Sequence, residues 1–125
     1  MHKILVVDDE KEIRDILEEF FVKSGFKVIQ VSDGQKAIEI LKSDVKIDLM
    51  VLDLKMPRAG GVDVLQEIKN LGKKFPIIFL TGTINSEKCF TSLRDLGFKE
   101  EDICYKPIDL FVLLDLVKKK LAQAV

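Results

Sequence analysis

Short apolar runs recur along this chain at Ile4–Val7, Val28–Val31, Leu49–Leu52, Ile77–Leu80 and, more weakly, Ile103–Tyr105, and longer stretches of helical spacing separate them. This alternation is the strongest constraint on the fold. Five strands alternating with five helices imply a parallel sheet, because a parallel connection needs a crossover, and that crossover is right-handed. Unbroken apolar strands also require cover on both faces of the sheet. The first helix presents Ile13, Ile16, Leu17, Phe20 and Phe21 and is expected to stop at Gly25. The second opens with a candidate capping box at Ser32-Asp33-Gly34-Gln35 and buries Ala37, Ile38 and Leu41. The third carries Val64, Leu65, Ile68 and Leu71 up to Gly72, and the fourth Cys89, Phe90, Leu93 and Leu96 up to Gly97. The fifth starts near Asp109 and presents Leu110, Leu113, Leu114, Val117 and Leu121, with Lys118-Lys119-Lys120 at the end that favours positive charge. The expected fold is α/β: a doubly wound, five-stranded parallel sheet of order 2-1-3-4-5 with five helices, a flavodoxin-like arrangement. A ligand is expected at the switch point between strands 1 and 3.

The residues just past the strands bear on function. Strand 1 runs into Asp8-Asp9, strand 3 into Asp53, strand 4 into Thr81-Gly82 and strand 5 into Lys106-Pro107. Asp8 or Asp9 could merely cap the first helix, which accounts for one carboxylate but not for acids on adjacent strands. Unit charges ~4 Å apart at an effective dielectric near 20 repel by about 4 kcal/mol. A cation relieves that repulsion, and a few oxygen ligands with open water positions suit Mg²⁺. Individually, Thr81 reads as a strand end, Gly82 as a turn, Lys106 as a solvated lysine and Pro107 as the first residue of a helix.

Length and composition narrow the classes. The 125 residues suit one domain over 1–125, and 47% hydrophobic with 33% charged residues is too apolar for disorder. A net charge of -1 lacks the basic excess of a general nucleic-acid binder. No apolar run approaches the ~18–20 residues of a membrane span. Cys89 and Cys104 form no disulfide framework or metal spacing, so a cytoplasmic location is expected.

In order and strand-end placement, Val6-Val7-Asp8-Asp9-Glu10, Asp53-Leu54-Lys55-Met56-Pro57, Gly61, Thr81-Gly82 and Lys106-Pro107 resemble the receiver domain of two-component response regulators over essentially the whole chain. The resemblance implies that Asp53 accepts a phosphoryl group from a phosphohistidine of a sensor histidine kinase or histidine phosphotransfer protein. It implies that Asp8, Asp9, Asp53 and the backbone carbonyl of Lys55 hold Mg²⁺. Thr81 and Lys106 would meet the phosphoryl oxygens, Gly82 would leave the backbone approach open, and a cis bond before Pro107 would aim Lys106 inward. Such a protein is a signalling module rather than an enzyme, and its output is a changed contact with a downstream effector.

This chain departs from the family at two places. An aromatic residue that rotates inward often precedes the strand-5 lysine by three positions, where Ile103 stands here, and the stretch from Gly97 to Lys106 is about two residues longer than usual; either Ile103 performs a weaker version of that switch or signalling relies on loop movement alone. On the fifth helix, Phe111, Val112 and Leu116 are apolar where the family is usually polar; they fit either a wide core stripe or an exposed patch for a partner or a homodimer. Rival functions fit less well. A haloacid-dehalogenase-type phosphatase wants an acid where Lys55 stands, and neither GxGxxG nor a phosphate loop ending in Gly-Lys-Ser/Thr occurs. A pocketless binding module predicts loss of residues that are all present.

Overall fold

In the computed structural model the described residues are 2–54, 61–82, 93–95 and 97–123. Five strands, β1 (Lys3–Val7), β2 (Lys27–Val31), β3 (Leu49–Asp53), β4 (Ile77–Thr81) and β5 (Ile103–Tyr105), form one sheet of order β2-β1-β3-β4-β5. Every pairing is parallel. The helices are α1 (Lys11–Lys23), α2 (Gly34–Lys42), α3 (Gly61–Asn70), the helical residues 93–95, labelled α4, and α5 (Leu110–Gln123). The expected fold class and strand order are borne out.

The two-sided cover explains the unbroken apolar strands. Side chains alternate between faces along a strand, so Leu5, Val7, Met50, Leu52 and Phe79 join Ala37, Leu41, Val64, Leu65 and Leu93 in one core. Their neighbours Ile4, Val6, Leu49, Val51, Ile78 and Leu80 join Leu17, Phe21, Leu113 and Val117 in the other. No helix among the described residues is long and apolar enough to cross a membrane.

Several details of the helices differ from expectation. Ile16, on α1, is 51% exposed, and Leu71 also faces solvent because α3 ends at Asn70, one residue before it. The cap of α2 is Asp33, which accepts from the Lys36 N–H at 2.9 Å, while Ser32 instead accepts from the Lys36 ammonium. Leu116 is half-buried against the core, so it does not belong to an exposed patch; Phe111 and Val112, at 74% and 59% exposed, do. Cys89, Phe90 and Leu96 lie outside the described residues. The expected stops of α1 and α3 hold: Gly25 and Gly72 adopt φ of 96° and 68°, which L-residues with a Cβ rarely accept.

The longer stretch before Lys106 contains a 3-10 turn over Glu100–Asp102. Asp102 is buried, accepts from the Lys99 N–H at 2.8 Å and forms an ion pair with Lys120 near the end of α5.

Candidate functional site

The sheet register assembles the site. Val7 pairs with Leu52, Asp53 with Leu80 and Thr81 with Tyr105, so the residues at the strand ends share the carboxyl edge of the sheet. Backbone bonds extend the ladder just past the strands: Asp8 N–H donates to Val31 at 3.3 Å, Leu54 to Leu80 at 3.0 Å and Lys106 to Thr81 at 2.9 Å. The Lys106-Pro107 peptide is cis.

Lys106 is the centre of the cluster. Its Nζ lies 3.0 Å from Asp8 Oδ2, 3.0 Å from Glu10 Oε1 and 3.5 Å from Asp53 Oδ2. Asp8, Asp53 and Thr81 are buried, whereas Asp9 and Glu10 are exposed. Asp8 Oδ1 accepts from the Glu10 N–H at 2.8 Å. Asp8 Oδ2 is sealed from solvent and lies close to the ammonium, but receives no directed hydrogen bond among the described residues. A Cβ on Gly82 would meet only Lys106 Cδ, at 4.0 Å, which is ordinary contact.

Electrostatics follow from this crowding. Burial pushes the Asp8 carboxyl above its ordinary value, and the Glu10 N–H and the Lys106 ammonium pull it only part of the way back. Burial works to lower the Lys106 ammonium, but the hydrogen bond it donates to Glu10 and the adjacent negative charges of Asp8 and Asp53 outweigh it and hold the pKa well above the usual lysine range. Lys106 is therefore a fixed cation at any physiological pH.

The donor set fits a small hard cation. Carboxylate oxygens of Asp8, Asp9 and Glu10 all lie within 4.8 Å of one another, and the sealed Asp8 Oδ2 still lacks a directed donor. Oxygen-only ligands, partly exposed so that waters can complete the shell, are what Mg²⁺ takes. Asp53 joins this group through their shared contact with Lys106. Glu10 is the residue whose part was missed from the sequence; its signal was an acid two positions past Asp8, within reach of the same edge. Lys55 and its carbonyl lie outside the described residues, as do Met56 and Pro57. Ile103 is buried in the core, paired with Phe79, while Tyr105 turns partly to solvent.

Comparison with known proteins identifies the family and the fold. Residues 4–118 match the model of the response regulator receiver domain family. The response regulator SaeR of Staphylococcus aureus is 42% identical over 81 residues, which is 65% of this chain and 35% of that protein. The match thus spans about a third of the length of the curated relatives. A response regulator receiver protein from Pseudomonas putida superposes with a TM-score of 0.81 at 28% identity, over 94% of this chain and 96% of that one. A CheY-like receiver domain protein from Methanospirillum hungatei gives 0.89 at 23% identity, over 98% and 95%, a likeness of fold.

Proposed function

Because this chain belongs to the response regulator receiver domain family of two-component systems, we propose that Asp53 is its phosphoacceptor and that residues 1–125 act as one receiver unit. The chain is a signalling protein rather than a conventional enzyme. Its donor is a phosphohistidine on a histidine kinase or histidine phosphotransfer protein. An Asp53 carboxylate oxygen attacks the phosphorus, the phosphorus–nitrogen bond breaks, and the electron pair leaves with the imidazole. The observation that carries this reading is the Lys106 ammonium, held between the buried carboxylates of Asp8 and Asp53 at the carboxyl edge of the sheet.

Such a transfer is mostly positioning plus charge stabilisation. The Lys106 ammonium, a compact charge on a flexible stem, exchanges part of its contact with Asp53 for a phosphoryl oxygen. The Thr81 hydroxyl donates to a second oxygen, and Gly82 keeps the backbone approach clear. Asp8 and Asp9, with Asp53 and the Lys55 carbonyl, would hold Mg²⁺, with Glu10 beside them. When bound, the ion neutralises charge on the acids and on the transferring oxygens. Ile103 supplies no ring to rotate inward, so the altered surface presented to a downstream effector arises from Thr81 and the loops.

Incubation with Mg²⁺ and a small-molecule phosphodonor, followed by intact-mass measurement, tests the assignment. A gain of one phosphoryl group that disappears in Asp53→Asn is expected. No gain, or a gain that survives the substitution, overturns it.

A further inference from the structure

Lys106 approaches Asp8 from the pocket, and a second cation holds Asp8 from behind. Arg14, half-buried on α1, donates from Nη1 to the Asp8 backbone carbonyl at 2.8 Å and from Nε to Gln30 Oε1 at 2.9 Å. Gln30, on β2, passes the restraint on: its amide donates to Glu18 Oε2 at 3.1 Å and to Asp15 Oδ1 at 3.3 Å. The Asp8 N–H is tied separately to Val31, the next residue of β2. Both peptide groups flanking the Asp8 side chain are therefore fixed from outside the pocket. A planar guanidinium suits this task, since its donors point along two set directions at once.

We propose that Arg14, held by Gln30, is a positioning residue for the divalent-cation site: it fixes the Asp8 peptide so that the Asp8 carboxylate meets the ion already oriented. The inference rests on the Mg²⁺ reading of the site given above. Charge and geometry here pull in opposite directions. Through space, a guanidinium beside the site repels a dication, so its removal should tighten Mg²⁺ binding. Through positioning, its removal leaves the Asp8 peptide free to shift and should weaken Mg²⁺ binding. The sign of the change separates the two effects, and a merely structural role moves neither.

The experiment is a calorimetric Mg²⁺ titration of the full chain, with Arg14→Gln, Gln30→Ala and the double variant, each also melted in chelator. Substituting groups that orient metal ligands weakens affinity by about 10–100-fold, and the lower end is expected for Arg14→Gln because it acts through the backbone. Gln30→Ala leaves every charge in place and should weaken Mg²⁺ binding in the same direction. The double variant should bind no more weakly than Arg14→Gln alone, since the two act as one unit. Unchanged or tighter Mg²⁺ binding in Arg14→Gln overturns the proposal, however far its melting point falls. Should Arg14→Gln fail to fold, Gln30→Ala decides, and unchanged affinity there overturns it. Absence of Mg²⁺ binding by the unsubstituted chain is a different failure, which removes the metal site itself and this inference with it.

Discussion

Replacing Lys106 by Met keeps the stem and deletes the charge that three carboxylates share. At an effective dielectric near 20, a unit pair at the observed 3.0 Å attracts by about 5–6 kcal/mol and one at 3.5 Å by about 5 kcal/mol, before desolvation is subtracted. Much of that gross attraction offsets the cost of burying the ions. The net loss on breaking a buried pair is about 3–5 kcal/mol, because the remaining charge is left uncompensated. The contact with exposed Glu10 adds less than about 1 kcal/mol. For a domain of this size the sum corresponds to a fall of roughly 10–20 °C in melting temperature in chelator at neutral pH. The Lys106 pKa is raised, so its stabilisation is fully present at neutral pH and is lost only well into the alkaline range. Asp8 behaves oppositely: a carboxyl raised by burial destabilises the folded state while ionised, and that penalty is relieved as pH falls through its folded pKa. Without the ammonium that pKa climbs further, so the gap between variant and parent should narrow on acidification. Mg²⁺ should raise the variant's melting temperature more than the parent's, since the variant's pocket carries one more net negative charge. Thermal melts in chelator and in millimolar Mg²⁺, repeated across mildly acidic pH, give all three readings. A variant within about 1 kcal/mol of the parent in chelator, or a gap that ignores pH, refutes the reasoning.

Asp53→Asn should stabilise the metal-free protein by about 0.5–2 kcal/mol, because it removes one of the carboxylates crowding a single cation; a lower melting point in chelator argues against the crowding. Asp102→Ala should cost about 1–3 kcal/mol by urea denaturation, since the Lys99 N–H and the Lys120 ammonium both lose their acceptor; an unmoved midpoint would show that the 3-10 turn stands without it. If α5 mediates self-association, Phe111→Asp and Val112→Asp should reduce the sedimenting mass from two chains to one, and an unchanged mass disposes of the homodimer. Burial raises the Cys104 thiol, so in a Cys89→Ser background its alkylation at neutral pH should be slower than that of a free thiol; equal rates would place Cys104 at the surface.

β1, β3 and β4 were legible because burial on both faces leaves an unbroken apolar run, a signal that needs no partner to read. Their carboxyl ends were legible for the same reason, with one refinement: β3 and β4 each run one residue further, so that Asp53 and Thr81 are ladder residues rather than the first of a loop. Helix faces were less secure. The 3.6-residue period identifies the centre of a stripe, as at Leu17 and Phe21, but not where its cover stops, as at Ile16, or where the helix itself ends, as before Leu71. Asp33 and Ser32 are chemically equivalent as caps, and only backbone geometry chooses between them. Arg14 gave no sequence signal at all. Its partners are a carbonyl and a glutamine on β2, and that meeting exists only once α1 has packed across the sheet.

The sheet order also divides the site by kinetic accessibility. β3 and β4 are fully buried and β1 nearly so, whereas β5 is three residues long and pairs with β4 alone at the edge. Amides of buried central strands exchange with solvent only in openings close to global unfolding, while short edge elements open locally at much lower free energy. Asp8 and Asp53 stand at the tips of the slow strands, and Lys106 follows the fast one. Local release of β5 would therefore withdraw the ammonium while the carboxylates stay in place, leaving for that interval an anionic pocket in an otherwise folded protein.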